Sequence, residues 1–295
     1  MKVPYSKEEK YRILIIGANG MIGHMIFDYF CAQKDFETFG LVRKICDNKI
    51  NQENLIQENN LSDQNKIRKL IENLLPNLVI NCIGIVKQNL MINDIDKSIY
   101  LNSFFPKLLH QICQNNQIRF LTFSTDCVFK GTKGFYNELD VVDSEEIYGI
   151  SKYLGEIGGY NNALTLRTSF IGKELNKKRG LLEWFLLQSK LKKNINGYAN
   201  AIYSGLPTIE IARIIHKYVI PNADLHGLYH LSSEPIDKYS LLKLIKENYC
   251  LDIMINKDYD NVIDRSLDCS KFKSETGFNP QSWEKLIQTM YMNNL

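Results

Sequence analysis

Tyr148 and Lys152 are able to exchange protons, and they stand four residues apart in the run YGISK. This spacing places both side chains on one face of a helix. A free tyrosine has a pKa near about 10, so it is a slow acid at neutral pH. A nearby ammonium stabilises the phenolate and lowers that pKa, which favours proton exchange with a carbonyl oxygen. The spacing is also common by chance in helices, so the pair needs supporting residues.

Thr125 supplies such support, because it follows the predicted strand Arg119–Ser124 directly. In an open parallel sheet, residues just past the carboxyl ends of the strands line the ligand crevice. We therefore expect the Thr125 hydroxyl to bind and polarise a substrate carbonyl. Asp126 and Cys127 come next in the chain and are candidate substrate contacts.

A glycine-rich turn connects the predicted strand Arg12–Ile16 to the predicted helix Met21–Cys31. Gly17 permits a tight turn, Gly20 lets the backbone approach a pyrophosphate, and Gly23 allows the helix to pack closely on the sheet. The free N–H groups and the positive dipole end of the helix also favour phosphate. A plain glycine turn would be the alternative, but the strand and the helix around it favour a dinucleotide cofactor.

Arg43 and Lys44 follow the second predicted strand, where an acidic residue would bind an adenosine 2′-hydroxyl. Two cations suit a 2′-phosphate, which indicates NADPH, with NADH as the alternative. Ordinary solvated surface charges would give the same pattern. Ser62 is a weaker candidate near the adenine, and the strand-end run Cys82–Gly84 is expected to lie against the cofactor.

The order of the predicted elements indicates an α/β protein with a doubly wound parallel sheet. Short apolar runs alternate with helical patterns in the first half, and one helix is predicted from about Ser144 to Ile157, ended by Gly158 and Gly159. The expected dinucleotide-binding domain covers 11–172, and Gly205–Leu231 is expected to return to it. Residues 173–204 and 232–295 are expected to form a smaller substrate-binding lobe.

Composition narrows the class of protein. The net charge of +3 is too small to indicate a nucleic acid or an anionic membrane as partner. The seven cysteines have no metal-ligand spacing, so no metal site is predicted, and free thiols in a reducing compartment are expected. No apolar run approaches the roughly 20 residues of a membrane span. The polar first residues resemble no signal peptide, so we expect a cytoplasmic location.

Four runs, GANGMIG, NCIG, STDCVFKGTKGFYNELD and YGISKYLGE, resemble the extended short-chain dehydrogenases, and more narrowly the dTDP-4-dehydrorhamnose reductase group. The likeness covers nearly the whole chain, because Leu164–Gly172, Gly205–Ile214 and Gly277–Trp283 also match the group's pattern. It implies a Rossmann-type fold with a C-terminal substrate lobe. It further implies NADPH-dependent reduction of the C4 keto group of a nucleotide-linked 4-keto-6-deoxyhexose to an L-rhamnose-type sugar nucleotide. A homodimer is a family expectation.

The resemblance also implies roles for individual residues. Thr125, Tyr148 and Lys152 become the catalytic trio. Tyr148 would also contact both the substrate and the cofactor, and Lys152 would bind the cofactor ribose. The residues implied to lie around the cofactor are Gly17, Asn19, Gly20, Met21, Ile22, Cys82, Ile83, Gly84, Thr168, Ser169 and Phe170. Arg265 is a candidate for the substrate diphosphate, as is the charged loop that holds Lys173, Lys177, Lys178 and Arg179. Trp184 either lines the sugar or base pocket or packs its helix.

Cys127 leaves a second activity open, because the group commonly has tyrosine there. In related bifunctional enzymes a cysteine near this strand end exchanges a carbon-bound proton, so an epimerase–reductase is one alternative; a wall-lining thiol is the other. A third possibility is a binding partner similar to the regulatory subunit of methionine adenosyltransferase, which has this fold. The sequence leaves the nucleotide (dTDP or UDP), an N-acetyl group on the sugar and the product stereochemistry open.

Overall fold

The computed structural model describes residues 10–45, 53–86, 95–175 and 179–293. The strands, in chain order, are β1 (Tyr11–Ile16), β2 (Phe36–Val42), β3 (Leu55–Gln57), β4 (Leu78–Asn81), β5 (Arg119–Ser124), β6 (Ala163–Arg167), β7 (Phe170–Ile171), β8 (Ile195–Tyr198), β9 (Ala201–Tyr203), β10 (Leu206–Pro207), β11 (Gly227–His230), β12 (Ile236–Asp237), β13 (Ile255–Asp258) and β14 (Ile263–Asp264). The helices are α1 (Met21–Cys31), α2 (Gln64–Leu74), α3 (Ile95–Ile99), α4 (Phe105–Asn115), α5 (Ile147–Leu154), α6 (Leu181–Lys190), α7 (Thr208–Ile214), α8 (Lys238–Asn248), α9 (Ser270–Thr276) and α10 (Trp283–Met292).

Seven strands form one parallel sheet in the order β11-β6-β5-β4-β1-β2-β3. The chain moves outward from β1 to β3 and then returns to place β4 on the other side of β1. A change of direction of this kind opens a crevice at the carboxyl ends of the two central strands. The predicted doubly wound parallel sheet is therefore confirmed.

Alternating side chains of β1 bury into cores on opposite faces of the sheet. Ile13 and Ile15 join the core that contains α1 and α7 residues, whereas Leu14 and Ile16 join the core that contains α2 and α4 residues. Strands covered on both faces need apolar side chains at every position. This requirement explains the unbroken apolar run Ile13–Ile16 in β1.

The C-terminal segments add small sheets and helices to the α1 side of the large sheet. β8 pairs with β13, and β9 pairs with both β12 and β14. Buried residues of α6, α8 and α10 belong to the same apolar core as β1 and α1. We keep the division into a cofactor domain (11–172 with 205–231) and a substrate lobe (173–204 with 232–295) as a proposal.

α5 is shorter than the sequence predicted. It ends at Leu154 with Gly155 as its C-cap, before the Gly158–Gly159 pair that was expected to end it. A Cβ at Gly155 would collide with the Asn102 carbonyl, so this glycine is also where α5 passes the neighbouring helix. Among the helices of the described residues, none has the length and apolar content needed to cross a membrane.

Candidate active site

Thr125 stands at the end of β5 and caps the short 3₁₀ turn formed by Asp126–Val128. Its Oγ1 accepts a hydrogen bond from the Cys127 N–H at 3.2 Å and donates one to Asp126 Oδ1 at 3.1 Å. The residue is 4% exposed. The turn therefore fixes a threonine hydroxyl, a carboxylate and a thiol in sequence along the carboxyl edge of the sheet.

Tyr148 lies on the first turn of α5, which packs on the Asp126–Val128 turn. A Cβ at Gly149 would collide with the Cys127 carbonyl, so this glycine allows the close approach. Burial raises the pKa of Tyr148, the charges of Cys127 and Asp126 raise it further, and a hydrogen bond with Thr125 opposes them. The predicted lowering of this pKa is therefore wrong for the structure as it stands, and Tyr148 is a protonated donor at neutral pH.

Lys152 lies one helical turn after Tyr148, and its Nζ donates a hydrogen bond to the Phe123 carbonyl at 2.6 Å. Burial lowers the pKa of Lys152 to about 8, while Glu156 and Cys82 act in the opposite direction. A Cβ at Gly84 would lie 3.6 Å from Lys152 Nζ, so the run after β4 passes beside the ammonium.

Glu156, which the sequence reading missed, lies one further turn along the chain from Lys152. It accepts from Arg167 Nε and Nη2, both at 2.7 Å, and from Ser124 Oγ at 2.6 Å. Arg167 Nη1 also lies 3.3 Å from His230 Nε2. Because arginine only donates, this histidine nitrogen accepts, and His230 Nδ1 donates to the Tyr136 carbonyl at 2.9 Å.

Asn102 is a second residue that the sequence reading missed. It lies in a π-helical segment, Tyr100–Phe104, between α3 and α4. Its side chain accepts from the Ile85 N–H at 2.8 Å and donates to Ser151 Oγ at 3.0 Å. Asn102 thereby connects the residues after β4 to α5. In the sequence, only the irregular helical spacing around Tyr100–Phe104 could have pointed to this residue.

The glycine turn after β1 fits a pyrophosphate. Gly17 has φ +89°, a conformation that side chains rarely adopt. A Cβ at Gly23 would collide with the Gly17 carbonyl, so both glycines are needed for the turn. Within the described residues, no side chain caps the first turn of α1. The N–H groups at Met21 and Ile22 thus begin a helix whose N-terminus faces the crevice.

The two cationic residues after β2, Arg43 and Lys44, both have exposed side chains. Asn19 Nδ2 donates to the Lys44 carbonyl at 3.3 Å, which joins the glycine turn to this corner of the crevice. Ser62 is also exposed, and its N–H donates to Asn60 Oδ1 at 3.0 Å. The geometry leaves a cationic edge at the outer end of the crevice.

Residues after β6 lie beside the end of β5. The Thr168 N–H donates to the Ser124 carbonyl at 3.4 Å, and the Ser169 carbonyl accepts from the Leu206 N–H at 2.9 Å. Phe170 begins β7, which pairs with β10. The residues after β6 therefore lie next to the end of β5, where Thr125 stands.

Cys127 faces a charged side chain from the C-terminal segments. Arg265 Nη1 donates to Cys127 Sγ at 3.4 Å, and Arg265 Nη2 lies 3.2 Å from Glu146 Oε1. Burial and the charge of Asp126 raise the pKa of the Cys127 thiol to about 12, although Arg265 works against them. The thiol is therefore protonated at neutral pH.

The remaining sequence candidates are Trp184 and the charged loop before α6. Trp184, in the first turn of α6, is 36% exposed. The backbone N–H of Arg179 donates to Glu174 Oε2 at 2.6 Å, whereas Lys177 and Lys178 lie outside the described residues. No cluster of possible metal ligands is present among the residues that the structure describes.

The parallel sheet with a glycine turn after its first strand is that of the extended short-chain dehydrogenases, a class of oxidoreductases. The family model described as the RmlD substrate binding domain matches residues 11–295. The chain belongs to this family.

Two relatives and one solved structure are distant in sequence but match over most of the chain. The spore coat polysaccharide biosynthesis protein SpsK of Bacillus subtilis is 24% identical, over 94% of this chain and 95% of the relative. The methionine adenosyltransferase 2 subunit beta of Mus musculus is 22% identical, over 94% and 88%. The dTDP-4-dehydrorhamnose reductase of Bacillus anthracis, solved with NADP, superposes with a TM-score of 0.81 at 19% identity, over 98% of this chain and 100% of that one.

Proposed function

We propose that this protein reduces the C4 keto group of a nucleotide-linked 4-keto-6-deoxyhexose with NADPH and forms an L-rhamnose-type sugar nucleotide. The proposal rests mainly on the placement of the Tyr148 hydroxyl. It is protonated and lies one helical turn from Lys152, on a helix that packs closely on the turn after Thr125 at the carboxyl edge of the sheet. A protonated tyrosine suits reduction, because the oxygen that forms at C4 must receive a proton.

The residues present fit a nicotinamide dinucleotide. The glycine turn at Gly17 and the start of α1 would hold the pyrophosphate, and Arg43 with Lys44 would bind a 2′-phosphate. NADH remains the alternative, since exposed cations do not exclude it. The chemistry that the cofactor would supply is a hydride for C4 of the sugar.

The chain's own residues then orient and protonate the substrate. The Thr125 hydroxyl turns from Asp126 to donate its one proton in a hydrogen bond to the C4 carbonyl. It thereby holds the carbonyl against Tyr148, which passes its own proton to the oxygen. Lys152, anchored on the Phe123 carbonyl, stabilises the phenolate that remains and binds the ribose. Its pKa of about 8 leaves it largely charged at neutral pH, as this role requires.

The direct test is NADPH oxidation with dTDP- and UDP-linked 4-keto-6-deoxy sugars, with and without an N-acetyl group, followed by mass spectrometry of the product. We expect a product two hydrogens heavier than the substrate with at least one of them. Absence of turnover with all of these sugars, in a protein that binds NADPH, would contradict the proposed reaction.

A non-catalytic binding subunit is the second candidate, because curated relatives include methionine adenosyltransferase 2 subunit beta. The two candidates differ in what NADPH does. A binding subunit retains NADPH unchanged in the presence of keto sugars and forms a complex with an adenosyltransferase. Co-sedimentation with that enzyme, without any NADPH oxidation, would favour this candidate.

The proposal includes a homodimer in the reducing cytoplasm. The cysteines of the described residues are all free thiols, and Cys46 lies outside them. Large apolar side chains are exposed on α3 and α5, which suits a second copy: Ile95, Ile99, Ile147, Ile150 and Leu154. Sedimentation equilibrium tests the assembly, and a protein that remains monomeric at micromolar concentration would refute it.

A further inference from the structure

Two polar side chains from the C-terminal segments lie together above the strand-end turn. β9 and β14 are parallel neighbours, with Ala201 opposite Ile263 and Ile202 opposite Asp264. Tyr203 and Arg265 are the next residues in this register. Arg265 contacts the turn that holds Asp126, because its Nη1 donates to Cys127 Sγ at 3.4 Å. Tyr203 follows the neighbouring position of the same strand pair.

Each of these side chains has a buried polar atom with no hydrogen-bond partner in the described part of the chain, namely Tyr203 Oη and Arg265 Nε. A buried donor without a partner costs free energy, so natural proteins seldom keep one without a reason. Two buried donors without a partner next to the proposed reaction centre indicate that a polar group of the substrate binds to them.

Glycines make the room for both side chains. A Cβ at Gly205 would collide with the Tyr203 hydroxyl, and a Cβ at Gly131 would lie 2.8 Å from Arg265 Cγ. Arg265 is further held by Glu146 and the Cys127 thiol through its Nη atoms. Its remaining Nε–H therefore has a fixed position.

We propose that Tyr203, Arg265 and Asp126 form a polar subsite that recognises the C3 hydroxyl of the sugar. This inference rests on the proposed reduction at C4. Of the two ring carbons next to C4 in a 4-keto-6-deoxyhexose, C3 carries a hydroxyl, whereas C5 carries a methyl group. A hydroxyl both donates and accepts, so it can donate to Asp126 and accept from Tyr203 or Arg265.

The test compares two nucleotide sugars that cannot be reduced, a 6-deoxyhexose with a C4 hydroxyl and its 3-deoxy analogue, by calorimetry in the presence of NADPH. Tyr203→Phe should weaken binding of the 3-hydroxy sugar about three- to tenfold, the range of one hydrogen bond. It should leave binding of the 3-deoxy sugar unchanged. Arg265→Lys keeps the charge but loses the guanidinium, with its Nε–H and its Nη contacts to Cys127 and Glu146, and should show the same selectivity. Tyr218→Phe, at a tyrosine that packs on Phe278, is the control.

Thermal unfolding without ligands separates this role from a structural one. Removal of an unpartnered hydroxyl should leave the Tm of Tyr203→Phe equal to or above that of the wild type. Equal weakening for both sugars, or none for either, would overturn the subsite. If the wild type binds these sugars but reduces no keto sugar, the proposed reaction fails while the binding comparison still decides the subsite.

Discussion

Arg167 and Glu156 form a two-point ion pair just beyond the C-terminus of α5, with side chains only 3% and 9% exposed. Ser124, at the end of β5, donates to the same carboxylate. The pair therefore joins β5, β6 and the residues after α5 directly beneath Lys152. Arg167 makes two further contacts: its Nη1 lies 3.3 Å from His230 Nε2, and its guanidinium carbon lies 5.4 Å from the centre of the Phe129 ring.

The first prediction concerns the stability that this pair provides. Arg167→Met leaves the Glu156 carboxylate buried without its cation, so we expect unfolding free energy to fall by about 3–5 kcal/mol. Arg12→Met is the matched control, because Arg12 and Glu37 form an exposed pair that should contribute no more than about 1 kcal/mol. Urea denaturation measures both, and similar losses in the two variants would contradict the prediction.

The second prediction concerns Tyr148. Tyr148→Phe removes the proton donor and keeps the ring, so turnover should fall by about 10²–10⁴-fold while NADPH affinity stays within about twofold of wild type. Tyr153→Phe, on the same helix but 46% exposed, should retain full turnover. Steady-state rates and fluorescence titration of NADPH provide the two measurements. Wild-type rates in Tyr148→Phe would remove Tyr148 from the reaction.

The third prediction concerns acid stability. Burial and the charge of Arg167 lower the pKa of His230 to about 4, whereas in the unfolded chain it is near about 6.5. Below pH 6.5 the His230 side chain binds a proton in the unfolded state but stays neutral in the folded state. The stability that this histidine contributes is therefore fully present above pH 6.5. It is lost as the pH falls towards 4, which lowers the unfolding free energy by on the order of 3 kcal/mol.

His230→Gln isolates this contribution. The variant loses contacts at every pH, so its curve should lie lower throughout. Between pH 6.5 and 4 it should nevertheless be flatter than the wild-type curve, since no histidine titrates at that position. Unfolding free energies at a series of pH values test this, and parallel curves would show that other groups cause the decline.

The fourth prediction concerns the choice of cofactor. Replacing Arg43 and Lys44 together by alanine should raise the KM for NADPH about ten- to a hundredfold, because bonds to a charged phosphate are lost. The KM for NADH, which has no 2′-phosphate, should change little. The double variant Lys192→Ala with Lys193→Ala, at two exposed positions after α6, controls for net charge. An equal change for both cofactors would place the 2′-phosphate elsewhere.

The fifth prediction concerns Cys127 and the epimerase alternative. With a pKa of about 12, the thiol supplies almost no thiolate at neutral pH, so we expect no base catalysis from it. Keto sugar incubated with the protein in D₂O without NADPH should gain no deuterium at C3 or C5. Deuterium that appears with wild type and disappears with Cys127→Ala would instead establish the bifunctional enzyme.

The large sheet and the strand-end group could be read from the sequence. β5 was predicted at its observed bounds, because its mostly apolar run RFLTFS is short and is buried from Phe120 to Ser124, as in a strand covered on both faces. Thr125 follows from the rule that ligands bind past the carboxyl ends of such strands. The direction of the Tyr148 pKa could not be predicted, since burial and the charges of Cys127 and Asp126 depend on the packing of α5.

The residues that the sequence did not reveal were missed because their partners lie elsewhere in the chain. Glu156 and Arg167 are 11 residues apart, and Tyr203 comes near the sequence candidate Arg265 only through the pairing of β9 with β14. These strands are two or three residues long, too short for a periodic signal. Long-range pairing of short elements therefore hid the substrate side of the crevice, while the cofactor side lies in contiguous motifs.

The position of β11 at the edge of the large sheet has a consequence for synthesis on the ribosome. β11 pairs with β6, yet it follows β7–β10, α6 and α7 in the chain. A nascent chain that ends before Gly227 leaves the β6 edge with unpaired backbone groups, a template for pairing with another polypeptide. Stalled or truncated chains of this protein are thus expected to aggregate through β6, and early chaperone contact should fall in that interval of translation.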